Sequence, residues 1–322
     1  MADTTRTQIP VEVNNFYDRT MLDRAVPALL YNRFAQVRDI PANNGTNRIK
    51  FRKYGALTSQ TTALSEGVTP SGKQLSVTDI YADVLYYGDY VTITDVVLTE
   101  TYDPILTETA DVLGEQVGLS LDDLCKAVAI AGASEQFAST ATTIGTVSSG
   151  MLITRAEVKE AVRTLRTNNA KPVTSMIDPA TGYNTVPVAA SFIGICSEDT
   201  LYDLEECAGW IPVEKYPNKA DVMPDEKGSL AGVRFLMSTN AYVDSAAGLN
   251  TQDVHGTLIL GQNALAQTRI SGMTLQNIVK PLGSAGTADP LNQRSTSGWK
   301  LSYVAKVLSA LNLIVIYHSV SS

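Results

Sequence analysis

Hydrophobic and polar positions alternate with a period of two in two short runs of the N-terminal third. In Arg48-Ile49-Lys50-Phe51-Arg52-Lys53-Tyr54 the apolar positions are 49 and 51 and the cationic ones 48, 50 and 52. Tyr87-Gly88-Asp89-Tyr90-Val91-Thr92-Ile93-Thr94 carries the same period. Such alternation predicts half-buried β-strands. Between them lies a polar stretch with Thr58, Ser59, Gln60, Thr61, Thr62, Ser65, Gly67, Pro70, Ser71 and Gly72. The simplest expectation is one long hairpin over about 46–97, with the two alternating runs as its strands. A lone two-stranded hairpin is marginal in water, and its unpaired edges invite another chain. The arm therefore either covers a copy of the same protein or folds back on its own domain.

A helical period follows. Asp103 suits an N-cap and Pro104 a first helical position. Apolar residues then recur at 106, 109/110, 113, 117, 121, 124, 128 and 131, with Gly132 as a stop. A helix over 104–131 would be a strut of roughly 42 Å at 1.5 Å per residue. Gly114 and Gly118 inside it mark a kink or a close backbone contact. Val13 to Gln36 also has helical periodicity, broken at Pro27, whereas Ala2 to Gln8 reads as disordered. The segment from Gly132 to Gly150 reads as a short hairpin and domain boundary. Thr154-Arg155-Ala156-Glu157 is a capping box that opens a second helix ending at Asn168-Asn169. Strands are expected at Phe192–Cys196, Val233–Met237, Gly256–Leu260 and, once or twice, within Trp299–Tyr317; a short helix capped at Ser197 follows the first. No internal repeat is visible.

The 322 residues, 44% of them hydrophobic, suffice for a large core and for two domains or one with large insertions. Charged residues are 18% and the net charge is −8, a poor composition for tight sequence-independent nucleic-acid binding. Met1 to Pro10 lacks the apolar core of a signal peptide, and no apolar run reaches the length of a membrane span. The sequon Asn44-Gly45-Thr46 carries no weight without a secretory signal. Three widely spaced cysteines, Cys125, Cys196 and Cys207, fit reduced thiols better than a disulfide framework.

Candidate chemistry is sparse. Gly67-Val68-Thr69-Pro70-Ser71-Gly72-Lys73 has the glycine and lysine spacing of a phosphate-binding loop, but Gln74 stands where a hydroxyl is required and no apolar strand precedes it. A flexible tip is the better reading. His255 and His318 are far apart in sequence, and no cluster offers the four close ligands of a structural zinc. The pairs Asp122-Asp123 and Glu205-Glu206 are neighbours that should point apart on a helix, so neither reads as an acid–base dyad. No cofactor and no catalytic residue are assigned, and the chain does not read as an enzyme. Two basic groups remain. Arg48, Lys50 and Arg52 line one face of the first arm strand, and Arg155, Lys159, Arg163 and Arg166 share one face of the second helix. The helix face is either solvated, docked on an acidic surface of a neighbouring copy, or turned towards nucleic acid. The arm face is expected to dock on a neighbouring subunit.

Read in order, several segments resemble the major capsid proteins of tailed bacteriophages, in particular the podophage major coat proteins. They are Phe16-Tyr17-Asp18-Arg19, Phe51-Arg52-Lys53-Tyr54, Leu64-Ser65-Glu66-Gly67-Val68-Thr69-Pro70, Tyr87-Gly88-Asp89-Tyr90, Gly232-Val233-Arg234-Phe235, Asp289-Pro290-Leu291-Asn292-Gln293-Arg294 and Gly298-Trp299-Lys300. The most specific is Asp-Pro-Leu-Asn-Gln-Arg followed by Gly-Trp-Lys. The resemblance implies an α+β HK97-like capsid fold. It would comprise an N-terminal arm (1–45), an extended β-hairpin loop (46–97), a peripheral domain (98–151 and 296–322, with spine helix 104–131) and an axial domain (152–295). Implied partners are the chain itself, as hexamers and pentamers of an icosahedral virion capsid assembled in the host cytoplasm, a separate scaffolding protein, a portal protein and, in some relatives, a decoration protein. Double-stranded DNA would be packaged without sequence-specific binding, and no membrane is involved. Candidate inter-subunit contacts are Arg48, Lys50, Arg52, Lys53, Glu66 and Lys73. The alternatives are a nanocompartment shell of the same fold, a nucleotide-binding enzyme using Gly67 to Lys73, and a surface or adhesion protein whose arm binds a foreign ligand.

Overall fold

The structure, a computed structural model, describes residues 30–43, 45–64, 66–100, 105–177, 185–216, 222–284 and 289–321. The expected disorder of Ala2 to Gln8, most of the helix expected over 13–36 and the N-cap at Asp103 lie outside them. Tyr31–Phe34 is a turn of 3-10 helix, and Gln36 already belongs to strand β1 (Gln36–Ile40).

The first alternating run forms β2 (Arg48–Tyr54), but its partner is not the second run. It pairs antiparallel with β3 (Val77–Asp83), from Arg48 opposite Asp83 to Tyr54 opposite Val77. The register explains the choice. Asp79 and Asp83 face Arg52 and Arg48, while Ile80 and Ala82 face Phe51 and Ile49, so both charge and apolar faces match across the strands. The run 87–94 falls in β4 (Leu85–Thr94), which instead pairs with a strand from the far end of the chain. The expected hairpin therefore has a different returning strand, and its tip is the polar segment 55–76.

A short helix α1 (Asp95–Glu100) leads to the long α2 (Ile105–Gly132), 28 residues or roughly 42 Å. Gly114 and Gly118 lie on its buried side. The expected hairpin after Gly132 is absent; β5 (Ser134–Phe137) becomes a parallel edge strand instead. Helix α3 (Arg155–Thr167) begins in the expected capping box, in which Thr154 accepts from the N–H of Ala156 and Glu157 accepts from that of Thr154. Then come β6 (Val173–Ile177), β7 (Thr185–Cys196) and α4 (Glu198–Glu206), the last capped by Ser197. Strands β8 (Ile211–Pro212), β9 (Glu226–Leu230), β10 (Val233–Met237), β11 (Tyr242–Asp244) and β12 (Val254–Leu260) follow. Four more close the chain: β13 (Leu265–Ile270), β14 (Leu275–Lys280), β15 (Arg294–Val307) and β16 (Leu313–His318).

Among the described residues the strands form three sheets. The largest has nine strands in the order β5-β16-β12-β7-β10-β9-β8, with β6 and β11 also attached. A second sheet of five strands is built on β15, which pairs with β4, β13 and β14. The third is the hairpin itself, β2 and β3. The C-terminal segment thus supplies one strand to each large sheet. Residues alternate across the nine-stranded sheet. Ile193, Ile195, Leu236, Leu258, Val315 and Tyr317 face one core, shared with Leu113, Val117, Cys125 and Ala129 of α2 and with Trp299, Leu301 and Tyr303 of β15. Phe192, Phe235, Ile259, Ile314 and Ile316 face the other core, closed by Val158, Val162 and Leu165 of α3 and by Leu201 and Leu204 of α4. The long helix therefore packs its apolar side into the core shared by the two large sheets, and α3 and α4 cover the opposite face of the nine-stranded sheet.

A candidate subunit-docking surface

Three of the cations of β2, Arg48, Lys50 and Arg52, have partners on β3. Arg48 is bidentate to Asp83, at 2.5 and 2.9 Å, and Lys50 and Arg52 share Asp79 at 2.6 and 3.0 Å. The Arg48 and Lys50 side chains also lie over the Tyr81 ring. Hydrogen bonding to Lys50 holds Asp79 below the usual carboxylate range, and Arg48 does the same for Asp83. These pairs are solvent-exposed and contribute little stability. Their effect is to fix strand register. The three cations expected to dock on a neighbour are thus already paired within the chain, though their side chains stay half-exposed.

Lys53 reaches back to the body of the protein, donating to the Ser309 hydroxyl at 3.2 Å. Lys73 spans the tip, donating to the Thr58 carbonyl at 2.6 Å and the Ser59 carbonyl at 3.3 Å. Glu66 sits in an exposed turn. The segment Gly67–Lys73 has neither a strand before it nor a helix after it, so it lacks the frame of a phosphate-binding loop. Its lysine is spent on backbone carbonyls.

The arm carries an unusual amount of uncovered apolar surface. Tyr54, Leu57, Leu64, Val68, Leu75, Val77, Tyr81 and Leu85 are all exposed, Leu64 by 75%. One face of the hairpin, with Ile49, Phe51 and Ile80, turns towards residues 308–312 across an open space of about 730 Å³.

The arm is anchored on a stiff base. The β4–β15 ladder runs from Thr94 opposite Arg294 to Leu85 opposite Tyr303. The indole of Trp299 donates to Gln116 of α2 at 3.0 Å, and the Gln116 amide donates to Asp89 at 2.6 Å, tying helix, β15 and β4 together. A Cβ at Gly298 would lie 2.6 Å from that of Tyr90, and one at Gly88 would lie 2.7 Å from the Trp299 carbonyl. Both glycines are needed for this close approach. The outer side of the same sheet is a groove of about 600 Å³ bordered by Tyr86, Tyr90, Ile278, Lys280 and Lys300.

No protein-family model matches the chain, and neither does any curated protein. Solved structures do. The capsid of Ralstonia phage GP4 matches with a TM-score of 0.71 at 13% identity, covering 91% of this chain and 89% of that one. The chain has the HK97-like capsid fold. The capsid of cyanophage Pam1 matches with a TM-score of 0.63 at 14% identity over 93% of this chain and 92% of that one. That of cyanophage P-SCSP1u gives 0.62 and 14% over 91% and 89%.

The remaining sequence candidates have structural roles. Asp122 and Asp123 converge on the Asn240 amide, at 3.2 and 2.9 Å, rather than on each other. Asp122 is buried and also accepts from the N–H groups of Leu30 and Tyr31, at 3.0 and 2.9 Å. His255 and His318, distant in sequence, face each other across β12 and β16 with ring centroids 6.2 Å apart. Sequence spacing gave no sign of this, because antiparallel register alone brings them together. The Nδ1 of His318 lies 2.9 Å from the Ser319 carbonyl and must carry the proton; Nε2 then accepts from Thr257 at 2.9 Å. Burial lowers the His318 pKa to about 4. Among the described residues no group of His, Cys, Asp and Glu could hold a metal ion, and no helix is long and apolar enough to cross a membrane.

Proposed function

We propose that this chain is the major capsid protein of a tailed phage, assembling through hexamers and pentamers into the icosahedral shell around its double-stranded DNA. The observation that carries the proposal is the capsid fold over about nine-tenths of the chain, joined to an arm whose apolar side chains have no cover within one copy. Fully burying a large apolar side chain is worth about 1.5–3 kcal/mol, and association costs roughly 4–15 kcal/mol in lost freedom. Several arm residues must therefore be covered at once, as they would be on a neighbour's surface in a closed shell. In this reading residues 46–97 form the extended loop, Ile105–Gly132 the spine helix of a peripheral domain and 152–295 most of an axial domain.

Arg48, Lys50, Arg52, Lys53, Glu66 and Lys73 then lie at or near subunit contacts. Arg48, Lys50 and Arg52 do so with their carboxylate partners, as a hairpin of fixed register rather than as bare charges. A net charge of −8 suits a container that must not grip the packaged DNA. A separate scaffolding protein, a portal and possible decoration proteins complete the expected set of partners, with assembly in the host cytoplasm and the virion as the final location. The chemistry is structural, with no catalytic role assigned.

The test is electron microscopy of the purified chain, alone and with the scaffolding protein of its phage. Closed shells, or rings of five or six, are expected. A chain that stays monomeric under both conditions refutes the proposal. Particles from the native source that hold protein cargo instead of DNA would identify a nanocompartment shell.

A further inference from the structure

Helix α4 presents an exposed tyrosine inside a ring of carboxylates. Tyr202 is 62% exposed, and Glu198, Asp199, Glu205 and Glu206 around it are exposed as well. Its opposite side, with Leu201 and Leu204, is in the core. Helix α3 presents the complement. Beside it is a concavity of about 530 Å³ with Val162 and Ala231 among its lining and Lys159, Arg163, Arg166 and Thr167 around it. Glu160 is the exposed carboxylate on this helix nearest the cations, bound to Arg163 at 3.3 Å between two largely exposed groups. Such a pair is weak and replaceable.

The two features lie at opposite ends of the same strands. Ala231 precedes Val233, which pairs with Phe192 where β10 meets β7; α4 starts just after Cys196, where that pairing ends. The tyrosine of one copy therefore cannot reach the hollow of the same copy. A basic hollow at one end and an acidic knob at the other form a head-to-tail pair, the contact type that closes into rings. An aromatic side chain seated beside guanidinium groups gains cation–π attraction in addition to the ion pairs around it.

We infer that Tyr202 of one copy seats in the α3 hollow of the next, with the carboxylates of α4 facing Lys159, Arg163 and Arg166. The occupant is a second copy of this chain, chosen because the acidic surround of Tyr202 and the basic rim of the hollow are complementary in charge. This inference rests on the shell reading above and identifies one contact within it.

The experiment uses the full chain under conditions in which the wild type assembles. One variant carries Lys159→Glu and Arg163→Glu, a second carries Glu205→Lys and Glu206→Lys, and a third carries all four. Each pair places like charges across the contact, so shell yield is expected to fall at least about tenfold. The four-fold variant restores opposite charges and is expected to recover shells. A mixture of the first two can satisfy every contact only by alternating, which allows rings of six but not of five. It should give sheets or tubes without closed shells. Tyr202→Ala, a surface change, should also lower yield while leaving the thermal unfolding midpoint unchanged. The inference is overturned if the paired reversals assemble like the wild type, or if the four-fold variant stays unassembled with its fold intact by circular dichroism. If the wild type itself never assembles with its scaffold, the shell reading falls and this contact falls with it.

Discussion

The buried His318 makes stability acid-sensitive over a defined range of pH. Its ring is fully buried in β16, neutral, and satisfied on both nitrogens by Ser319 and Thr257. In the unfolded chain it titrates near the ordinary value of 6.5, whereas burial, followed by the repulsion of His255, lowers it to about 4 in the fold. Between those values the unfolded chain binds a proton that the folded chain refuses, so stability falls as pH drops from about 6.5 to about 4 and levels off below. At pH 4 the loss integrates to about 3 kcal/mol, from 1.36 kcal/mol per pKa unit. His255 is also depressed by burial and acts in the same direction, opposed by Asp199, Asp253 and Asp203. Asp79 and Asp83, whose pKa values are lowered below 3.8, act only in stronger acid.

His318→Gln removes this titration while keeping a polar group opposite Thr257. Urea unfolding of the unassembled chain at pH 7.5, 6, 5 and 4 measures the difference. The variant should be less stable than the wild type at pH 7.5, and the gap should move by about 3 kcal/mol in the variant's favour by pH 4. Parallel stability curves for the two proteins would refute the argument.

The bidentate Arg234–Glu226 pair, at 2.6 and 2.5 Å, is almost wholly buried, with Tyr216 and the Met223 N–H also bound to the carboxylate. Arg234→Met should cost about 3–5 kcal/mol by leaving that carboxylate without its cation, and adding Glu226→Leu should recover much of the loss; a denaturation double-mutant cycle checks both. Gly298→Ala should destabilise by about 1–3 kcal/mol because its methyl group meets Tyr90 and the Asp89 carbonyl across the ladder, read as a drop in the thermal midpoint. Isothermal titration with ATP should give no heat, for wild type and Lys73→Ala alike, since Lys73 is bound to the tip's own carbonyls; saturable binding lost in the variant would revive a nucleotide site. Replacing Leu57, Leu64 and Leu75 with serine should leave the monomer as stable as before and abolish shells, because these side chains are exposed in one copy. Unchanged assembly by electron microscopy would contradict the role given to the arm.

Local order was legible in the chain itself. The helical stripe at 106–131 sits in one helix, the Thr154 capping box and the Ser197 cap stand where the residues predict, and the alternation at 48–54 is a strand. Each depends on neighbours a few residues apart, so periodicity and capping chemistry suffice to fix it. Pairing between distant segments was not legible. The alternation at 87–94 identifies a strand but says nothing of its partner, and the choice fell to β15, with Gly88 and Gly298 permitting the close approach. The true partner of β2 carries Asp79 and Asp83 opposite the cations, a match that emerges only once a register is given. The facing histidines and the separation of the Tyr202 knob from the α3 hollow likewise depend on which strands adjoin in the nine-stranded sheet. Sequence set the elements and their buried faces because those follow from local backbone geometry. Tertiary structure set the exposed apolar surface of the arm because long-range strand pairing decides which side chains meet and which are left uncovered.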